Sequence, residues 1–495
     1  MDGDPPRGDD GGDGAGEAAR HRRHLARGFN WLGAAAIVAK ATDVAAILVV
    51  LLYLTQHQVG IGSLVVSFGM MIEAFDGLGT GDAIVQAREI GRRQLDGLFW
   101  YIMAIALAMA GLTLLAAPLV QGFYHAPGMA ALFVAVAAKQ PLVGAAVIPM
   151  ALLNRELRYE RIAVVNVAAT FGAALTRLVV AVAGGGAWSL VAGSLAAGAF
   201  TLAGSLVARP FLPSLRFLAS PQSGSIRPLV RFGLRSAGAH VADQVFKNID
   251  FLLVGWFYGA TPLALYRVVF DIAMEPAMAV GTLVNRTALP IFARAAAVPR
   301  ELRAALLWSL RRLATLVVPF MAGVAFLALP LLSLLHDSQG HSYAAGAPAL
   351  RVLAVAAVLR VAAQLFPPLL LATGRPGTAA WFSTATLCML ATGILAVGSA
   401  VPAPAGLVGI AGIWLALYLP LIAWSVRHLA RHWGIRAGEL ARPFRRPALA
   451  GAVVAAAGWA LAPLGAQEPV ARIAGVLAAA GLAYAWLFRG TGATP

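Results

Sequence analysis

Apolar stretches of about twenty residues recur along almost the whole chain and are separated by short polar loops. A helix of about 20 apolar residues is long enough to cross the hydrocarbon core of a bilayer. The pattern therefore predicts an all-α polytopic membrane protein of about 14 transmembrane helices, near residues 30–54, 60–81, 98–119, 129–153, 162–183, 187–208, 233–257, 263–289, 313–335, 346–371, 377–399, 405–426, 446–464 and 469–488.

The basic residues fall almost wholly in alternate loops. Arginine is dense in one set of loops, at residues 87–93, 154–161, 209–231, 294–312, 375 and 427–446. The other set contains no Lys or Arg, at residues 55–60, 121–128, 184–187, 259–262, 335–345 and 400–406. Because basic loops are retained in the cytoplasm, the alternation predicts a multi-pass membrane protein with both termini cytoplasmic. We call the two sides of the molecule the arginine-rich end and the arginine-poor end.

The composition supports this class and excludes others. The 495 residues are 60% hydrophobic and only 12% charged, with a mean hydropathy of +0.77, whereas soluble proteins carry about twice that share of charge. The net charge of +16 is shared among many loops, which indicates topology and headgroup attraction rather than nucleic-acid binding. The single cysteine, Cys388, permits no intrachain disulfide and predicts no metal cluster.

Composition along the chain predicts five regions. Residues 1–27 are rich in Gly and Asp and then basic, which is typical of a disordered cytoplasmic tail. Residues 28–208 form an N-terminal lobe of six helices, 209–232 a cytoplasmic linker, 233–430 a C-terminal lobe of six helices, and 431–495 two additional C-terminal helices. Spans seven and eight weakly repeat spans one and two, and repeats with a site between them are the usual build of secondary transporters.

The chain contains 38 basic side chains, and only three of them are lysines. Lys40, Lys139 and Lys247 all fall in the middle of predicted spans. A charge at the bilayer centre costs at least about 2.5–3.5 kcal/mol, so such residues normally face a cavity or a partner. We therefore interpret the lysines as candidates for function.

Acidic residues accompany these cations at helical spacing, so that each set forms one polar stripe. The stripes belong to spans one, two, seven and eight: Lys40 and Asp43; Glu73 and Asp76; His240, Asp243, Lys247 and Asp250; Arg267, Asp271 and Glu275. Converging stripes predict a hydrated cavity between the lobes, with Pro276 weakening span eight beside it. The alternative is internal salt bridging, because Asp243–Lys247 and Arg267–Asp271 are i,i+4 pairs. Arg351, Arg360 and Gln364 in span ten are open between cavity lining and pairing.

A series of short motifs resembles a known family in order and spacing. The motifs include Asp76-Gly77-Leu78-Gly79, Ala83-Ile84-Val85-Gln86, Phe99-Trp100, Ala117-Pro118-Leu119, Leu153-Asn154-Arg155-Glu156-Leu157, Gly186-Ala187-Trp188-Ser189-Leu190-Val191, Arg231-Phe232-Gly233 and Leu265-Tyr266. From about residue 28 to 290 the chain resembles Wzx-type oligosaccharide flippases of the multidrug/oligosaccharidyl-lipid/polysaccharide (MOP) exporter superfamily. The resemblance implies two six-helix lobes in a V and two extra C-terminal helices.

The resemblance also implies a function. A flippase of this kind lies in the bacterial cytoplasmic (inner) membrane. It moves an undecaprenyl-diphosphate-linked oligosaccharide, such as an O-antigen, capsule or exopolysaccharide repeat unit, from the inner to the outer leaflet by alternating access. The implied partners are the polyprenyl-diphosphate-linked glycan, membrane lipid, and a glycan polymerase with its export machinery. The cations best suited to the diphosphate are Lys40, Lys247 and Arg267, since lysine acts as a point charge and arginine as a planar fork.

A driving force is also needed for transport. The sequence contains no GxxxxGK[ST] phosphate loop, so it predicts no ATP hydrolysis and no cofactor. Buried carboxyl groups can instead carry a coupled H⁺ or Na⁺. The candidates are Asp43, Glu73, Asp76, Asp243, Asp250, Asp271 and Glu275.

Two other functions remain open at this point. An ion-coupled small-molecule antiporter of the same fold would carry similar acids but usually fewer cations in its cavity. A membrane glycan polymerase or glycosyltransferase would be expected to have a sizeable outer loop with acids or a catalytic motif. The longest outer loop, residues 336–345, holds one acid, Asp337, and two histidines, so the enzyme is the less favoured alternative.

Overall fold

The computed structural model of the chain describes residues 38–39, 42–214, 225–464 and 469–489. Within these ranges the fold is helical, and β-type pairing is limited to one isolated bridge between His336 and Ser342. The helices are α1 (Thr42–Leu51), α2 (Gln56–Glu73), α3 (Thr80–Gln86), α4 (Arg92–Tyr124), α5 (Met129–Arg155), α6 (Tyr159–Val182), α7 (Trp188–Ala208), α8 (Arg227–Tyr258), α9 (Ala260–Ala295), α10 (Pro299–Leu334), α11 (Ala347–Ala363), α12 (Phe366–Ala372), α13 (Pro376–Ala400), α14 (Ala405–Trp433), α15 (Ala437–Ala441), α16 (Arg445–Ala460) and α17 (Pro469–Arg489).

The predicted spans correspond to these helices in order, with α2 and α3 forming one span and α11 and α12 another. Ten spans of the described chain are long and apolar enough to cross a membrane by length and composition. Helices α8 and α9 are 32 and 36 residues long but are not among these ten, and they carry the two longest polar stripes. The all-α, polytopic prediction is thus confirmed, and the least apolar long helices are those with candidate functional residues.

Packing divides the described helices into an N-terminal group, a C-terminal group and an appendix. Helices α4, α5, α6 and α7 form the first group, and α8, α9, α10, α11, α12, α13 and α14 form the second group. Helix α2 packs against α5 and α7 on one side and against α8 and α9 on the other. Helices α16 and α17 pack against α10. The interface between the two groups is therefore built largely on α2, α8 and α9.

The second span is broken between α2 and α3. Gly77, Leu78 and Gly79 have φ values of 68°, 41° and 72°, in the left-handed region that favours glycine. Gly233 of α8 lies against this break, since a Cβ added there would come within 2.7 Å of the Leu78 carbonyl oxygen. The two helices thus approach backbone to backbone. Pro276 was expected to weaken span eight, but α9 continues through it.

Several predicted boundaries differ from the observed helices. Helix α8 begins at Arg227 rather than near residue 233, and α4 extends the third span at both ends. Basic residues at such ends lie beyond the apolar stretch that sequence reading detects, although the helix itself continues into the interfacial region. The predicted tail, residues 1–27, lies outside the described residues, as do residues 215–224 of the predicted linker.

Candidate functional site

A cavity of about 1150 Å³ lies within the C-terminal group of helices. Its lining comes mainly from α8, α9, α11, α13 and the short helix α12, with Met70 contributed by α2. The lining reaches Gly238, Leu283 and Pro376, which lie toward the arginine-rich end of their helices. The cavity therefore runs from the middle of the molecule toward that end.

Two cations in the cavity are paired along their own helices. Lys247 Nζ lies 2.5 Å from Asp243 Oδ2, and the two side chains are 49% and 55% exposed. Arg267 Nε lies 3.0 Å from Asp271 Oδ2, with exposures of 21% and 14%. Because each pair occupies positions i and i+4 of one helix, neither ion pair joins two helices. The Arg267 guanidinium also lies 4.4 Å from the ring centre of Phe251 on α8. Both cations remain on the cavity lining.

A third cation, Arg360 of α11, is held among aromatic rings. Its guanidinium carbon lies 4.6 Å from the ring centre of Trp414 and 5.3 Å from that of Phe246. Cation–π attraction stabilises a desolvated guanidinium in such a place. Arg360 is only 3% exposed, yet it lines the cavity together with Gln364. Arg351, on the same helix, is exposed and is not part of the lining.

Behind the cavity lies a buried chain of hydrogen bonds. Trp414 Nε1 donates to Tyr266 Oη at 2.8 Å, and the Tyr266 hydroxyl donates to Asp250 Oδ2 at 2.9 Å. All three side chains are buried, and Asp250 is not part of the cavity lining. Asp250 is thus held by its own group of helices.

The acids of the second span turn away from this cavity. Lys139 Nζ of α5 lies 2.6 Å from Glu73 Oε1 and donates to Ser194 Oγ at 2.9 Å. With its amide N–H₂ group toward α2, Gln140 donates to Asp76 Oδ1 at 2.7 Å. These contacts join α2, α5 and α7 across helix boundaries.

The first span contributes one further pair. Asp43 of α1 accepts a hydrogen bond from Arg177 Nη1 of α6 at 3.0 Å. Lys40 lies outside the described residues, so its role as a candidate cation stays a prediction.

The structure therefore brings together part of the predicted constellation. Asp243, Lys247, Arg267 and Glu275 lie on one cavity, with Asp271 beside Arg267. Asp43, Glu73 and Asp76 pair within the N-terminal group instead, and Asp250 is buried behind the cavity. The expected convergence holds for the stripes of α8 and α9 only, because α5 and α6 supply cations or amides that hold the other acids.

At the arginine-poor end, a loop of the C-terminal group forms hydrogen bonds with the start of α2. Asp337 Oδ2 accepts the Gln56 backbone N–H at 3.1 Å, while Gln56 Nε2 donates to the Ser342 carbonyl at 3.2 Å. The Ser338 N–H also donates to the Leu54 carbonyl at 3.1 Å. We call this set of contacts the Asp337 latch.

The electrostatics of Asp337 fit this role. Burial disfavours the charged form of the carboxyl, but backbone N–H groups of His341, Gln56 and Gln339 donate to it and hold its pKa below the usual value. The carboxylate therefore stays ionised, and its hydrogen bonds remain available, at physiological pH.

Three further contacts close the same end. A Cβ at Gly60 of α2 would overlap the backbone of Ala260 at the start of α9, so only glycine permits this approach. Tyr124 at the end of α4 donates to the Leu252 carbonyl at 3.1 Å, and Phe123 stacks on Trp256. The arginine-poor end is closed in this conformation.

Sequence reasoning missed several of these residues. Gln140 had no charge to mark it, Tyr266 was noted only as part of a family motif, and Asp337 was interpreted only as a lone acid in a loop. Gln56 lies in the start signal of α2, where Thr55 and Gln58 form a reciprocal capping box. The described residues contain no group of three or more His, Cys, Asp and Glu side chains placed to hold a metal ion.

Comparison with known families gives a match over more than half of the chain. Residues 52–344 match the family described as polysaccharide biosynthesis protein. The chain is 22% identical over 324 residues to the teichuronic acid biosynthesis protein TuaB of Bacillus subtilis, covering 64% of this chain and 65% of that one. It is 26% identical over 342 residues to the succinoglycan biosynthesis transport protein ExoT of Rhizobium meliloti, covering 69% and 67%. The chain thus spans about two thirds of the length of these relatives.

Solved structures with the same fold include membrane transporters. The lipid II flippase MurJ in an inward closed conformation aligns with a TM-score of 0.71 at 11% identity, covering 93% of this chain and 99% of that chain. An inward-facing multidrug resistance MATE family transporter of the MOP superfamily aligns with a TM-score of 0.63 at 15% identity, covering 81% and 95%. At such identities the likeness shows the fold alone.

Proposed function

The chain belongs to the polysaccharide biosynthesis protein family, and we propose that it moves an undecaprenyl-diphosphate-linked oligosaccharide from the inner to the outer leaflet of the bacterial cytoplasmic membrane. The observation that carries the proposal is the cavity of about 1150 Å³ with Lys247, Arg267 and Arg360 on its lining. Intramembrane cations on a cavity favour an anionic substrate group.

The cavity suits an amphipathic substrate. The hydroxyl-rich head and the diphosphate cannot cross hydrocarbon alone, so they need a polar path through the protein. Lys247 and Arg267 offer donors for phosphate oxygens, and the apolar part of the lining, which includes Phe246 and Phe382, suits the less polar faces of sugar rings. The polyprenyl tail stays in the lipid beside a gap between the two groups of helices.

The proposed cycle alternates between two conformations. In the one described here, the Asp337 latch and the Gly60 contact close the arginine-poor end, and the cavity extends toward the arginine-rich end. With the arginine-rich loops in the cytoplasm, this conformation would load substrate from inside. Opening of the latch, with closure around α8 and α9, would release the substrate outside to a glycan polymerase and export machinery.

Coupling to H⁺ or Na⁺ is part of the proposal. The candidate acids remain Asp43, Glu73, Asp76, Asp243, Asp250, Asp271 and Glu275. Each acid is replaced in turn by its amide. The variant that lacks the ion-carrying acid is expected to lose the ion dependence of transport. Transport with unchanged ion dependence in all these variants would contradict ion coupling through this set.

The test of the function is accumulation of lipid-linked oligosaccharide in cells. Cells that lack the protein, or carry Lys40→Ala, Lys247→Ala or Arg267→Ala, are expected to accumulate undecaprenyl-linked oligosaccharide on the cytoplasmic face at normal protein levels. Arg351→Ala is the matched control, since Arg351 is exposed and outside the cavity lining. Normal glycan export in the deletion strain would overturn the proposal and favour a small-molecule antiporter of the same fold.

A further inference from the structure

Arg360 differs from the other cations of the cavity in its hydrogen bonding. Its Nε and Nη1 atoms are buried and have no acceptor among the described residues. Lys247 and Arg267 each contact an acid on their own helix. A buried, charged donor without an acceptor destabilises the fold that contains it, so this arrangement calls for an explanation.

The surroundings of Arg360 balance its charge without supplying an acceptor. The rings of Trp414, Phe246 and Phe270 face the guanidinium, and a ring face attracts a cation but takes up none of its N–H directions as a carboxylate does. The nearby acid Asp250 has one oxygen bonded to Tyr266. Its other oxygen, Oδ1, makes no hydrogen bond, so Asp250 and Arg360 attract each other without a bond between them.

Gln364 lies one turn further along the same helix and has the complementary property. Its Oε1 is buried without a donor among the residues described, and it also lines the cavity. Gly281 of α9 makes room for it, because a Cβ at that position would overlap Gln364 Oε1. An unused donor group and an unused acceptor thus lie four positions apart on one face of α11.

We propose that Arg360 and Gln364 form an oxyanion subsite in the cavity, in which the guanidinium binds an oxyanion of the substrate and the amide oxygen accepts a neighbouring hydroxyl. The inference rests on the proposed function and deepens it. Two parts of such a substrate carry an oxyanion, namely a carboxylate on an acidic sugar and the diphosphate of the carrier. The planar fork of arginine matches both.

The aromatic wall and the adjoining hydroxyl acceptor favour the acidic sugar. Phosphate oxygens of a diphosphate offer no hydroxyl to Gln364, whereas a sugar acid carries its carboxylate beside ring hydroxyls. Lys247 and Arg267, on α8 and α9, are then left for the diphosphate.

Binding to the purified full-length protein in nanodiscs tests this subsite with three probes: glucuronate, glucose and inorganic pyrophosphate. Glucuronate is expected to bind and to raise the melting temperature, and glucose is expected to bind at least about tenfold more weakly, as charge-assisted bonds are lost. Arg360→Gln is expected to remove the difference between the two sugars. Arg351→Gln, the matched control on the same helix, is expected to retain it.

Two further variants keep the test informative if Arg360→Gln folds poorly. Arg360→Lys retains the charge but loses the fork, so glucuronate binding is expected to weaken. Gly281→Ala displaces only the flexible end of Gln364, so glucuronate binding is expected to weaken here also, with pyrophosphate binding unchanged.

The possible outcomes separate the sources of the oxyanion. Glucuronate binding that depends on Arg360 supports the sugar-acid source, and pyrophosphate binding that depends on Arg360 supports the carrier as the source. If neither anion depends on Arg360, the subsite does not exist. Failure of the proposed function would be seen separately, as normal glycan export in the deletion strain while anion binding in nanodiscs persists.

Discussion

The intramembrane lysines and arginines of the two groups of helices find their acidic partners in different places. In the N-terminal group the cations pair between helices, as Lys139 does with Glu73 and Arg177 with Asp43. In the C-terminal group Lys247 and Arg267 pair within their own helices and stay on a cavity. An ion pair between two helices fixes the distance between them, whereas an ion pair along one helix does not.

This difference assigns different tasks to residues of the same type. A lysine in the middle of a span is a structural tie in one group and an accessible cation in the other. The distinction depends on what the neighbouring helices supply, since α7 offers Ser194 as a second acceptor to Lys139. Substitutions of matched residues in the two groups can therefore break or sharpen the comparison.

The largest effect on stability is expected for Lys139→Met. The side chain of Lys139 is 10% exposed and that of Glu73 is 21% exposed. Removing the lysine leaves the partly buried Glu73 without its cation, which costs up to about 3 kcal/mol. Thermal unfolding of the purified protein measures the loss. The double variant Lys139→Met with Glu73→Gln is expected to recover most of it, because the uncompensated charge is gone. Equal melting temperatures for the single variant and the native protein would show that the pair is not a tie.

A smaller effect is expected for Asp337→Asn, which acts between the two groups. In the native protein, backbone N–H groups donate to both oxygens of the Asp337 carboxylate. Asparagine replaces one of these oxygens by an N–H₂ group, which cannot accept, so the free energy of unfolding falls by about 1–2 kcal/mol. His341→Ala is the control, because the His341 ring is 67% exposed and lies 3.4 Å from the carboxylate. An unchanged melting temperature in Asp337→Asn would contradict a stabilising latch.

The latch also has an expected pH dependence. The pKa of Asp337 in the folded protein is lowered from an unfolded value of about 3.9. The contribution of the ionised carboxylate to stability is therefore complete above the unfolded pKa. It is lost as the pH falls through the lowered pKa of the folded protein. The difference in melting temperature between the native protein and Asp337→Asn should hold at neutral pH and shrink below about pH 4. A difference in melting temperature that grows as the pH falls would have the opposite sign and would exclude this linkage.

The smallest effect on stability is expected for Lys247→Gln. The pair with Asp243 is about half exposed, and such i,i+4 pairs contribute no more than about 0.5 kcal/mol. Transport is nevertheless expected to fail if Lys247 contacts the substrate, so lipid-linked oligosaccharide should accumulate at normal protein levels. A melting temperature lowered as much as in Lys139→Met would remove the contrast between the groups.

The sequence predicted the fold well because membrane insertion leaves direct marks on it. The apolar stretches and the order of motifs were enough for the all-α fold and the family. The break at Gly77 and Gly79, shown by the observed φ values, falls near the end of the span predicted over residues 60–81 and was not predicted as an interruption. The helix through Pro276 shows the limit of such reasoning, since neighbouring contacts in a bundle can preserve a helix that proline alone would weaken.

The site was predicted only in part, for a physical reason. Helical spacing places Asp243, Lys247, Arg267 and Glu275 on stripes, but it cannot say what each stripe faces. The partners of Glu73 and Asp76 come from α5, more than sixty positions away along the sequence. Contacts of this kind depend on the rotation of one helix against another, which a single sequence does not encode locally.

The backbone contact between the break in the second span and Gly233 has a mechanical consequence. The two helices meet here backbone to backbone, and beside this contact Ser236 and His240 of α8 reach Asp82 of α3 through partly exposed side chains. The backbone contact can therefore act as a pivot between the two helices. The 24 residues from Gln56 to Gly79 are 23 steps apart end to end, which makes a segment of about 35 Å at 1.5 Å per residue. A rotation of roughly 10° at this pivot then displaces the far end of the segment by about 6 Å. That displacement exceeds the reach of any hydrogen bond, so a small rotation at one face of the membrane is enough to part the contacts at the other.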